Sequence, residues 1–244
     1  MKFYMVKNSR SIQTMFRTSS NISPNRFMYM IFENLMNFNK QDLGKFMNDT
    51  TGRLQTPTPG TEKVPGEKRY WFGYHQILHE YLARAHETNL LGVLYQRFLM
   101  EQWTRFSTGS WSEPVGIKEL LYNDMFTAAT KAFVGPRMLE LNPGFIGVFW
   151  GFVDVAASLV WGLPRWLNRH ALDSRRKFHG ACAKYLEANF AEFDFNGPDA
   201  EADWEPIWGS RANRELCKFF REAGFVLDSQ AGALAITNVF GSVT

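Results

Sequence analysis

A single, mainly α-helical domain spanning 1-244 is what this sequence predicts, from three observations. Apolar residues recur at helical spacing through most of its length, and no apolar–polar alternation is long enough to build a sheet. The 45% hydrophobic and 16% aromatic content is sufficient for one substantial core and lies far above that of a disordered chain. The net charge of +3, from 27 basic and 24 acidic residues, leaves no basic stripe, so no nucleic acid is expected as a partner. Cys182 and Cys217 lack CxxC or CxH spacing, which indicates neither zinc site nor disulfide framework and fits a reducing compartment. The first residues, Met1 to Lys7, show no signal peptide and no anchor helix.

Taken in order, Phe3 to Val6 reads as a short strand, and Asn8 or Ser9 caps a helix with Ile12, Met15 and Phe16 on one face. Ser23-Pro24 opens a second helix, Arg26 to Phe38, rich in Met and aromatics. Adaptable core packing is the plain reading of it, and the wall of an apolar ligand pocket is the sharper one. Thr56-Pro-Thr-Pro-Gly60 through Pro65-Gly66 excludes both a helix and a central strand, and reads as a loop. A long helical pattern runs from Tyr74 to Phe106 with a break placed near Gly92. Another spans Ile117 to Phe133 and is ended by Gly135-Pro136.

Phe145 to Leu163 is the most apolar stretch and stops at Pro164. Asp154 in mid-run and the glycines at 147, 151 and 162 favour a buried or membrane-dipping helix over a membrane span. A helix from Ala171 to Phe190, an acidic loop from Asp194 to Glu205 and a helix from Arg211 to Ala223 follow. From Asp228, read as an N-cap, a last helix carries Leu234, Ala235, Val239 and Phe240. No closing glycine, basic residue or proline follows, so the chain is expected to be a fragment whose last helix is covered by parts of a longer polypeptide.

His75 and His79 stand at i,i+4 and share a face with His86, a spacing that can hold a metal. The phrase is HQILH and not HExxH, so the general-base glutamate of a zinc protease is missing and ordinary surface histidines are the favoured reading. No GxGxxG, GxxxxGK[ST] or GxSxG occurs, which leaves nucleotide binding and serine hydrolysis without support.

Five phrases in order carry a resemblance: Thr56-Pro-Thr-Pro-Gly60; His75-Gln-Ile-Leu-His79-Glu with Ala83-Arg-Ala-His-Glu-Thr88; Ala132-Phe-Val-Gly-Pro-Arg-Met-Leu139; Gly162-Leu-Pro-Arg-Trp-Leu167; and Phe240-Gly-Ser-Val-Thr244. Together the segments resemble the N-terminal half of a fungal cytochrome P450, a haem-thiolate monooxygenase, in the branch of the oxysterol 7-alpha-hydroxylases and prostacyclin synthase. The resemblance implies a partial cytochrome P450 fold running from helix B to the start of helix I and lacking the C-terminal haem-ligand half. Phe3 to Arg17 would be the early strand and helix B, Tyr74 onward helix C, Phe145 to Phe190 helices F and G, and Asp228 onward helix I.

By that resemblance, Gly241 and Thr244 match the oxygen-activation motif of helix I, with Thr244 as its threonine. Val243 occupies the acid position and can neither donate nor accept a hydrogen bond. His75 and His79 would take the places of a Trp-xxx-Arg pair that contacts haem propionates. The cysteine loop that ligates the iron is not in this sequence, and neither Cys182 nor Cys217 has its surroundings.

The family implies haem in full-length relatives, molecular oxygen, a lipophilic substrate of sterol-like or secondary metabolism, and an NADPH-dependent reductase. It also implies an endoplasmic reticulum membrane surface with peripheral membrane contact, the cytoplasm being the alternative where no anchor is present. The chain alone is expected to be inactive, to hold no haem stably, and to have no metal ligand set of its own. The rival readings are a non-catalytic helical binding protein for a hydrophobic ligand or partner chain, and a membrane-associated protein using Phe145 to Trp166.

Overall fold

The computed structural model describes residues 6–17, 24–106, 114, 116–164 and 166–240. Helix α1, Ser9–Arg17, is capped by Asn8, whose side-chain oxygen accepts the Arg10 amide at 2.8 Å. Its Ile12, Met15 and Phe16 stripe is exposed. The strand expected at Phe3 to Val6 lies largely outside the described residues, and Val6 is in no strand.

Helix α2, Asn25–Met30, starts directly after Pro24 and continues as a π-helical stretch, Ile31–Leu35. Phe32, Leu35 and Met36 are buried along it. Asn37 then takes a left-handed φ of 56°, which asparagine tolerates and which turns the chain away. Helix α3, Lys40–Asn48, was not expected from the sequence, because its nine residues hold too few apolar positions to show a period. Its signal was the cap: the Asn39 side chain accepts the Asp42 amide at 2.8 Å. The following stretch is the expected loop, closing in a 3-10 turn at Gly66–Lys68.

The long helical pattern is two helices, α4, Tyr70–Leu82, and α5, Ala85–Trp103, and the break expected near Gly92 is a correction. Gly92 lies inside α5. The chain breaks at Ala83-Arg84, where Arg84 is extended at ψ 134°. The Thr88 hydroxyl donates to the Leu82 carbonyl at 2.9 Å and so satisfies an acceptor that the broken helix leaves open.

Ile117 to Phe133 is helical as expected, as α6, Ile117–Glu119, a π-helical stretch Leu120–Met125, and α7, Phe126–Phe133. A short helix α8, Arg137–Leu141, follows Pro136. Helix α9, Phe145–Val160, buries Phe145, Phe149, Phe152, Ala156 and Leu159 and turns Asp154 to solvent, which is how one carboxylate is tolerated in so apolar a run. No helix among the described residues is long and apolar enough to cross a membrane. Helix α10, Arg169–Glu192, packs along α9. The acidic loop ends in an antiparallel pair, β1, Trp204–Glu205, with β2, Gly209–Ser210. Ser210 then caps α11, Arg211–Glu222, accepting the Asn213 amide at 3.2 Å.

The last helix is α12, Leu227–Ala233, continued by a π-helical stretch Leu234–Phe240. Asp228 is not its N-cap; Val226 is, without a side-chain cap. Asp42 of α3 steadies the entry instead, accepting the Val226 amide at 3.1 Å. The expectation that the cover of this helix lies elsewhere is also corrected over the described residues. Ala231, Ala233, Leu234, Ala235 and Val239 are buried, because the helix runs between α10, α11 and α7. Its closest approach is at Gly232, where an added Cβ would stand 1.8 Å from the Met36 carbonyl oxygen, so only glycine fits. One core holds both aromatic groups, Phe126, Phe149 and Phe178 on one side and Phe32, Phe46, Trp71 and Phe220 on the other.

Candidate functional site

The last helix and α4 come together where the Tyr74 hydroxyl meets the Thr237 hydroxyl at 3.2 Å. Tyr74 sits one turn after Trp71, and both turn inward because they occupy the apolar face of α4. Burial pushes the Tyr74 phenol up, opposed in part by its bond to Thr237, so it is a neutral hydrogen-bonding group.

Beside Thr237 opens a cleft of about 770 Å³. Leu91 and Tyr95 of α5, Met125 and Ala129 of the Leu120–Phe133 segment, and Trp150 of α9 are part of its wall. Trp150 and Tyr122 stack at 4.0 Å between ring centroids with 24° between planes. The Trp150 indole donates to the Tyr122 carbonyl at 2.9 Å, so this aromatic wall is fixed in orientation. Burial also raises the Tyr95 phenol. An apolar cleft with a few hydroxyls suits a lipophilic or flat conjugated group, which gains most from losing water and needs few polar anchors.

The expected site residues are only partly brought together. His75 and His79 are exposed, one turn apart, with ring centroids at 6.3 Å; neither lines the cleft, although Leu82 of the same helix does. Gly241 and Thr244, with Val243, lie outside the described residues. Sequence reasoning missed Tyr74 and Thr237, whose contact joins two elements 163 positions apart and so leaves no local signal.

Apolar walls and hydroxyls match the faces of a macrocycle, but among the described residues no cysteine lines the cleft, so these residues do not supply a thiolate for the iron. Cys182 and Cys217 are buried elsewhere, in α10 and α11, and burial pushes both thiols well up, which keeps them protonated. Among the described residues no group of three or more His, Cys, Asp or Glu could hold a metal ion.

No family model matches this chain, and no solved structure matches it. It is 40% identical over 241 residues to the cytochrome P450 monooxygenase calL of Penicillium decumbens, across 99% of this chain and 45% of that protein. The chain is homologous to fungal cytochrome P450 monooxygenases. Its 27% identity over 154 residues to fsoE of Humicola fuscoatra spans 63% of this chain and 26% of that P450. With efuG of Hormonema carpetanum, another P450, it shares 24% over 164 residues, 65% of this chain and 29% of that one. The chain thus spans less than half the length of the P450 monooxygenases it matches, and its largely helical architecture agrees with a partial P450 fold.

Proposed function

We propose that this chain forms one part of a cytochrome P450 monooxygenase that oxidises a lipophilic metabolite of fungal secondary metabolism, and that it is inactive alone. The observation that carries the reading is the likeness to calL along nearly the whole chain, combined with a cleft that adjoins the last helix yet, among the described residues, is lined by no cysteine. Haem, when bound by full-length relatives, supplies oxygen activation, and the thiolate for it would come from residues beyond those described. The roles of this chain's residues are to position and to exclude water. Leu91, Met125 and Trp150 keep the cleft apolar, and the Tyr74–Thr237 bond fixes the last helix against α4.

In this reading, with haem bound in the whole enzyme, Thr244 would supply a hydroxyl able to pass a proton, Gly241 would leave room beside it, and His75 and His79 would hold the propionates. An NADPH-dependent reductase supplies electrons. The enzyme works at the endoplasmic reticulum membrane surface, which is supported by the exposed Trp161, Leu163, Trp166 and Leu167 at the turn between α9 and α10. Tryptophan beside aliphatic residues is the composition that settles at a membrane–water boundary.

The test is carbon monoxide difference spectroscopy after haem loading. The chain alone is expected to give no thiolate-type spectrum, and the chain joined to the remaining part of calL is expected to give one. A thiolate-type spectrum from the chain alone that Cys182→Ser or Cys217→Ser abolishes would refute the proposal. High-affinity binding of a sterol by the chain, with the joined protein still spectrally silent, would favour the helical binding protein.

A further inference from the structure

The middle of α10 passes over a second cavity, of about 440 Å³, which the P450 reading leaves without a role. Asn37, Arg175, Arg176, His179, Gly180 and Asp228 line it. At ~30 Å³ per water it has room on the order of fifteen water volumes, enough for a small organic molecule.

Gly180 is the first indication that the space is meant to be open. It lies inside a 24-residue helix, where glycine costs about 1 kcal/mol relative to alanine. Close packing does not require it, since an added Cβ would meet nothing within 4 Å. It is not among the glycines with a positive φ either, so the backbone does not require it. What the missing side chain does is leave the wall of the cavity uncovered.

The lining carries charges of both signs. Arg175 is held in place by the Asn34 carbonyl at 2.5 Å and the Asn37 side-chain oxygen at 2.8 Å. Arg176 pairs with Asp173 at 2.9 Å, but both side chains are well exposed, so that pair is weak and easily exchanged for another anion. On the first turn of α12, Asp228 adds a carboxylate to the same lining. His179 is buried and makes a backbone hydrogen bond to Leu35, while its Nε2 has no partner. Burial first, and Arg175 second, hold its pKa down at about 3, so the ring is neutral and Nε2 is an acceptor.

We propose that this cavity binds a small monocarboxylate that also carries a hydroxyl group. The carboxylate faces Arg175 and Arg176, and the hydroxyl donates toward Asp228. A dianion is disfavoured by Asp228, and a wholly apolar ligand would strip water from the guanidinium groups with nothing in return. Leu172 and Ala183 supply apolar wall for the body of the molecule. The proposal does not depend on the P450 reading, because none of these residues lines the cleft beside Thr237.

Isothermal titration of the full chain with 4-hydroxybenzoate, benzoate and benzamide tests it. Benzoate is expected to bind about tenfold more tightly than benzamide, the worth of one charge-assisted hydrogen bond, and 4-hydroxybenzoate several-fold more tightly than benzoate. Gly180→Leu, which fills the opening and favours the helix, should abolish binding of all three while leaving thermal stability equal or higher. Arg176→Met, on the surface, should reduce benzoate to the level of benzamide. Equal affinity for the three probes, no binding of any, or binding that survives Gly180→Leu would overturn the proposal.

Discussion

Tyr74 and Thr237 are 163 positions apart and meet through their hydroxyls at 3.2 Å, joining α4 to the π-helical end of the last helix. Tyr74 is buried and Thr237 half-buried, so neither hydroxyl can turn to bulk water without cost. Tyr74→Phe and Thr237→Val should each destabilise the fold by about 1 kcal/mol. The double variant should cost less than the sum, because it leaves no orphaned hydroxyl. Urea unfolding of the four proteins measures this; full additivity would mean that the hydroxyls are not bonded to each other.

His179 makes stability depend on pH. Its folded pKa is held at about 3 against an ordinary value near 6.5, so between those limits the unfolded chain binds the extra proton. Stability from this group is therefore complete above about pH 6.5 and declines as pH falls toward 3, at up to about 1.4 kcal/mol per pH unit. His179→Leu should flatten the slope between pH 6 and 4. An unchanged slope in that variant would show that other groups produce it.

Glycine has opposite consequences at two helical positions. Gly232→Ala drives a Cβ into the Met36 backbone and should cost at least about 3 kcal/mol or prevent folding, as overpacking against an immovable carbonyl does. Gly92→Ala in α5 meets nothing within 4 Å and should stabilise by up to about 1 kcal/mol. Thermal melts of the two variants should shift in opposite directions.

The turn between α9 and α10 exposes Trp161 at 57%, Trp166 at 71% and Leu167 at 60%, an unusual cost for a surface that meets only water. Replacing all three with serine should lower the fraction of protein that floats with phospholipid vesicles several-fold, without lowering the melting temperature. Equal flotation of the variant would remove the support for a membrane surface.

Helix identity was legible in the residues wherever apolar periodicity was strong. Phe145 to Leu163 and Arg211 to Ala223 both announced their helices, and the order of short phrases announced the family before any packing was known. Boundaries set by groups distant in sequence were not legible. The break at Ala83-Arg84 depends on a threonine hydroxyl reaching back to Leu82, and Asp228 gave up the capping role to Asp42, which holds the chain at Val226 from 184 positions before that residue. The cover of the last helix was likewise invisible, since it required knowing that α10, α11 and α7 converge on it and that Gly232 lies flush against Met36. Side-chain types and spacing govern local conformation through the backbone, whereas a cleft beside Thr237 or a cavity under Gly180 exists only where separate helices fail to fill the space between them. That space is a property of the packing, and no stretch of sequence encodes it alone.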